Sequence, residues 1–228
     1  MLQTHTITFL KELAKNNNKT WFDANRDKYE AAKADFEIVV TDIIKGLAKT
    51  DPDFAELRAK DCIFRIFRDV RFGKDKTPYK PNFGAAFSKT GRKGSGAGYY
   101  LHIEPGGKCF IGGGLWMPEP ENLKRIRQEI DYNFKEFSGI LNDKKFKKVF
   151  SEIEGEKLKK VPAGYNEDNP AIEYLKMKSF TAGHKGISDD DLVSKTMVKN
   201  VVDVFNTMKP FLDFLNRGIE LFFVNRLL

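Results

Sequence analysis

Ten cations crowd the stretch from Lys60 to Lys93, and only three carboxylates, Asp61, Asp69 and Asp75, answer them. That excess of seven accounts for the whole formal net charge of +7, so the rest of the chain sums to zero. Within it, Arg65, Arg68, Arg71, Lys74, Lys76 and Lys80 are close enough in sequence to converge on one anion. Guanidinium forks match the two oxygens of a phosphate or carboxylate, and ammonium groups add compact point charges. Side chains on a continuous strand alternate faces, so arginines at 65, 68 and 71 need a turn between them to meet. Gly73 and Pro78 supply turn chemistry there, Asp75 is placed to pin the cations, and Tyr79 offers a ring for stacking. The competing expectation is an internal network of ion pairs that does no more than hold the turn.

His102 and Glu104 lie two apart in a β-prone run, which puts both on the face that also carries Tyr100. Together with Asp69 they are the acid–base candidates. Cys109, across an expected hairpin, is placed to approach His102 as a thiol–imidazole pair, or to be a small buried apolar residue. His5 and His184 have no ligand-like neighbours in sequence, and two cysteines cannot make a four-cysteine zinc centre, so no metal site is expected. Gly112-Gly113-Gly114 lacks the Gly-Lys-Ser/Thr ending of a phosphate loop and reads as close backbone approach at a strand end. The signatures of serine hydrolases, zincins and thioredoxin-like proteins are missing from the sequence.

The elements that must position these groups follow from periodicity. Residues 1–58 read as helical: Ile7, Leu10, Leu13 and Ala14 repeat at helical spacing, and Asn16-Asn17-Asn18 breaks the run. Thr20 and Asp23 resemble a capping box opening a second helix whose apolar stripe runs from Phe22 to Leu47. Residues 60–116 are sheet-forming, with strands expected at Cys62–Phe67, Phe83–Phe87, Tyr99–Ile103 and Cys109–Ile111, and a hairpin at Pro105-Gly106-Gly107. Residues 118–228 return to helix, including Leu123 to Phe137, a short segment at Ala171–Met177, and a long final helix starting at Asp189–Asp191 and kinked at Pro210. The expectation is a single α+β domain over 1–228, its central antiparallel sheet of about four strands flanked by N-terminal and C-terminal helices. With no signal-peptide pattern and no apolar run of about 18 residues, a cytoplasmic location is the expectation.

The run Lys60-Asp61-Cys62-Ile63-Phe64-Arg65-Ile66-Phe67-Arg68-Asp69-Val70-Arg71-Phe72, continued by Gly73-Lys74-Asp75-Lys76-Thr77-Pro78-Tyr79-Lys80, is distinctive. With Gly98–Pro105, Gly112–Trp116, Trp21–Arg26 and Pro162–Tyr165, it resembles the family catalogued as domain of unknown function 2461. That resemblance spans nearly the whole chain and brings no activity, cofactor or catalytic residue with it. Function therefore rests on the residues. Three readings stand: an anion-binding domain for a phosphorylated ligand or nucleic acid, an enzyme on an anionic substrate using His102, Glu104 or Asp69, and a protein interaction module without a small ligand. A concave pocket holding His102 with the arginines favours the enzyme, and a broad shallow basic face favours nucleic acid.

Overall fold

The structure is a computed structural model that describes residues 1–71 and 73–224, with side chains described to residue 220. Phe72 and the last stretch of the expected final helix, 225–228, lie outside the described residues. The chain is α+β: helices flank a four-stranded antiparallel sheet of order β1-β2-β3-β4, formed by Phe83–Phe87, Gly98–Ile103, Cys109–Leu115 and Phe180–Ile187. It divides into two compact units. One comprises Met1–Lys93, Tyr100–Ile111 and Lys185–Asp203; the other comprises Gly94–Tyr99, Gly112–His184 and Val204–Leu228. No described helix is long and apolar enough to cross a membrane.

In the first unit, α1 (Thr4–Lys15), α2 (Lys19–Ala24) and α3 (Arg26–Leu47) build an apolar cluster around Leu10, Leu13, Phe22, Phe36, Val40 and Ile43. Helix α2 is capped by Asn18, whose side chain accepts from the Trp21 amide, and not by the expected Thr20. Asn25 then separates α2 from α3, so the expected single helix is two. The buried Asp35 carboxylate ties down the start of α1, accepting from the Thr6 hydroxyl at 2.5 Å and the Gln3 amide at 2.8 Å. Phe36 of α3 stacks on Phe83 of β1, with ring centres 5.2 Å apart. Residues 185–203 add a short helix, Asp189–Val193, and Ser188 with Asp191 forms a capping box at its start. The extended Ser194 ends that helix, so the expected long helix from Asp189 is in fact interrupted before Met197.

The second unit carries helices at Pro120–Tyr132, Phe134–Asn142, Lys144–Phe150 and Ile172–Leu175, together with the later part of the helix Met197–Val224. Its core is phenylalanine-rich: Phe137, Phe146, Phe211 and Phe214 pack ring against ring at 5.1–6.4 Å. Arg217 binds Glu136 with both terminal nitrogens, at 3.0 and 2.6 Å, and Glu129 through Nε at 2.8 Å. The expected hairpin between β2 and β3 is present, and Gly106 (φ 85°) and Gly107 (φ 79°) take left-handed backbone that other residues resist. The triple glycine behaves as its position implies. A side chain at Gly113 would meet the Gly98 carbonyl at 2.6 Å, so close backbone approach is what the residue provides.

Candidate functional site

One expected feature of the basic stretch changes on folding, and the irregular pairing that replaces it opens a hollow. Cys62 closes a short helix, α4 (Ala59–Cys62), so the expected strand Cys62–Phe67 is replaced by an extended segment making only isolated pairings. Ile63 pairs with Ala85 and Phe67 with Tyr79, so four steps on one side face six on the other. The surplus falls at Lys80-Pro81-Asn82-Phe83-Gly84, where Pro81 has no N–H to give to a ladder. Such an irregular bulge re-aims the side chains around it. Arg65 on one side, with Lys80 and Asn82 on the other, thereby face a pocket of about 290 Å³ whose remaining lining is Phe64, Gly84, Tyr100 and His102.

His102 is set into the pocket wall by β2, whose pleat buries Tyr99, Leu101 and Ile103 on one face and leaves Tyr100 and His102 on the other. Its imidazole stacks on Phe110 of β3, ring centres 4.9 Å apart at 17°. Nε2 lies 3.1 Å from Glu104 Oε2, and Nδ1 lies 3.3 Å from the Tyr100 hydroxyl and 3.5 Å from Asn82 Nδ2. A carboxylate only accepts, so Nε2 carries a proton and donates it to Glu104, leaving the Nδ1 lone pair toward Tyr100 and the pocket. Lys108 donates to the other oxygen of Glu104 at 2.8 Å. Burial alone would push the Glu104 carboxyl up, but the hydrogen bonds from Lys108 and His102 outweigh it and hold the group below its ordinary value. Burial pushes the Tyr100 phenol up, which keeps it a neutral O–H donor at physiological pH. Gly84 makes room for that phenol: a Cβ there would sit 2.6 Å from the Tyr100 oxygen.

The depressed Glu104 carboxyl has a consequence for stability. A carboxyl whose folded value lies below its unfolded one contributes fully above the ordinary carboxylate value of about 4.3, and the contribution fades as pH falls toward the folded value. The native chain is expected to exceed Glu104→Gln in guanidinium midpoint at neutral pH, with the gap closing in acid. A gap independent of pH would show that the carboxylate charge has no part in it.

The remaining sequence candidates divide. Arg65 and Lys80 reach the pocket, and Lys80 donates to the Arg65 carbonyl at 3.2 Å. Arg68 turns to Asp75 at 3.1 Å and to the Tyr79 carbonyl at 3.3 Å. Arg71 grips Asp69 through two nitrogens, at 2.7 and 3.0 Å, in an exposed loop, so Asp69 is not brought to His102. Lys76 donates to the Val70 carbonyl at 2.8 Å, and Lys74 is exposed. Tyr79 is buried and stacks on Phe22 at 3.9 Å, which leaves no face for a ligand. Cys109 lies on the buried face of β3, opposite to Phe110, and gives its S–H to the Glu104 carbonyl at 3.1 Å. Of the two expectations for Cys109, the small buried residue is the one found; its thiol is not paired with His102, and burial pushes it up.

Asn82, Gly84 and Phe64 were not singled out in the sequence. Asn82 had one signal, since it precedes β1 in register with Gly84, on the face opposite the buried Phe83 and Ala85. Lys108 had another, four residues beyond Glu104 across the hairpin.

No curated protein and no solved structure matches the chain. A family model described as "Conserved hypothetical protein (DUF2461)" matches residues 5–214, which includes every residue of the pocket and of the Glu104–His102–Tyr100 line. The chain belongs to the DUF2461 family.

Proposed function

We propose that the chain is an acid–base enzyme acting on a small phosphorylated or carboxylated substrate held in the pocket between Arg65, Lys80 and His102. The observation that carries this reading is the shared lining: two cations and an imidazole, whose Nδ1 is its acceptor nitrogen, face one hollow. At about 290 Å³ the hollow suits a small molecule and not a duplex. Arg65 and Lys80 take the substrate anion. Nδ1 of His102 removes a proton, directly or through the Tyr100 hydroxyl, and the Glu104 carboxylate stabilises the imidazolium that forms. Nucleic-acid binding has less support, because Arg68 and Arg71 are engaged with Asp75 and Asp69.

The test is a titration of the native chain with inorganic phosphate and with pyruvate, read from the imidazole resonances of His102. A saturable shift is expected with at least one of them. Arg65→Gln is expected to weaken binding by about tenfold or more, since a hydrogen bond to a charged group contributes about 1.5–3 kcal/mol. Binding that leaves the His102 resonances unmoved, or that Arg65→Gln does not touch, would dismiss the reading.

A further inference from the structure

Lys80 lines a pocket and differs from the lysines of this chain that are held in ion pairs. Lys11, Lys28, Lys108, Lys157 and Lys178 each sit on a carboxylate at 2.6–2.9 Å. No carboxylate lies against Lys80 among the described residues; its Nζ donates to the Arg65 carbonyl at 3.2 Å and stands 5.9 Å from the centre of the Phe64 ring. That contact needs only one N–H and leaves a neutral amine with its lone pair free. The side chain lines the pocket shared by Arg65, Tyr100 and His102.

We propose that Lys80 is a nucleophilic amine that forms an imine with the carbonyl carbon of a small 2-oxo acid, while Arg65 holds the acid's carboxylate. The inference rests on the anion pocket proposed above and narrows its substrate class, with the anion left to Arg65 so that Lys80 meets the carbonyl carbon. Burial, reinforced by Arg65 and Arg68, holds the Lys80 ammonium below its ordinary value, which raises the share of neutral amine near neutral pH. Besides Arg65, the titratable groups lining the pocket with Lys80 are Tyr100 and His102, the latter with Glu104 behind it. The Nζ lone pair attacks the carbonyl carbon, and the carbonyl π pair moves to oxygen, which takes a proton from the Tyr100 hydroxyl. The excess proton on nitrogen passes to His102 Nδ1. The carbinolamine then expels its hydroxyl as water, with a proton returned by the imidazolium; the remaining N–H proton goes to the Tyr100 phenolate as the C=N bond closes. One amine and one carbonyl become one imine and one water, with no change of oxidation state.

The experiment is reductive trapping of the full chain with pyruvate and sodium cyanoborohydride, followed by intact mass and peptide mapping. One adduct per chain on Lys80 is expected, formed at least tenfold faster than with acetone, which lacks the carboxylate. Lys80→Arg keeps the positive charge and is expected to abolish the adduct while leaving the circular dichroism spectrum intact. Adducts scattered over several lysines, or retained in Lys80→Arg, would overturn the proposal. If pyruvate shifts the His102 resonances saturably but no adduct forms on Lys80, the imine is wrong and the anion pocket stands. If pyruvate and phosphate both leave those resonances unmoved, both readings fall.

Discussion

Phe22→Ala is expected to lower the unfolding free energy by about 3–5 kcal/mol, as truncation of a fully buried aromatic does. Phe22 has 0% exposure and touches three rings and a cation: Tyr79 in parallel stacking at 3.9 Å, Tyr29 at 5.0 Å, Phe67 edge-on at 5.9 Å, and the Arg26 guanidinium at 5.7 Å. Its removal leaves a cavity at the place where α2 grips the bulged segment. The polar grip of this helical region on Tyr79 is Asn17, whose side-chain amide accepts from the Tyr79 N–H at 3.1 Å and donates to the Tyr79 carbonyl at 2.9 Å. Tyr79 immediately precedes Lys80, so loosening it loosens one wall of the pocket. Chemical denaturation checks the stability loss. A cost below about 1 kcal/mol would mean that the site collapses to fill the space and that the stack is not what holds Tyr79.

Gly114→Ala is expected to be comparably damaging for a different reason. Gly114 has φ 122°, in backbone space nearly closed to residues with a Cβ, where strain costs about 1–3 kcal/mol. A methyl group there would also sit far inside van der Waals contact of the Phe180 carbonyl oxygen and 2.8 Å from the Thr181 Cα. Both obstacles are backbone of β4, which cannot rotate aside as a side chain can, so overpacking adds about 1–3 kcal/mol. Gly139→Ala makes a useful control: nothing lies within 4 Å of its added Cβ, and it sits within the helix Phe134–Asn142, where alanine is favoured over glycine. Denaturation midpoints should fall sharply for Gly114→Ala and stay level or rise for Gly139→Ala. Equal behaviour of the two variants would refute the account.

The strands that could be read from sequence were those with clean alternation and glycine-marked turns. Phe83–Phe87 and the hairpin around Gly106-Gly107 stand where periodicity put them. Two departures have identifiable causes. Ile63 to Phe67 has strand composition, but its partner segment carries Pro78 and Pro81, and neither can donate to a ladder. Phe180–Ile187 is a strand that composition conceals, because Gly183, His184, Lys185 and Gly186 dilute its apolar character, leaving Phe180 and Ala182 as its buried residues. The Thr20 cap failed against Asn18 because three consecutive asparagines all suit a helix start, and only the backbone decides among them.

The candidate site was half legible. The two-residue spacing of Tyr100, His102 and Glu104 placed them on one face, and the structure joins them in one hydrogen-bonded line. Charge counting could not separate cations aimed at solvent space from those already matched. Asp69 and Asp75 are close in sequence to every arginine of the run, yet they take Arg71 and Arg68 and leave Arg65 to the pocket. What decided the partition is the two-residue surplus around Pro81, which pairing patterns disclose and composition does not.

That same irregular segment also shields the protein from its own copies. β1 ends the sheet, and a bare outer border would offer its amides and carbonyls to any passing strand. Ile63 and Phe64 occupy part of that border, the Phe64 N–H donating to the Gly84 carbonyl at 2.9 Å, and the proline-interrupted stretch beside it is too uneven to template further growth. One departure from regular geometry thus shapes a hollow on one side and discourages fibril-like stacking on the other.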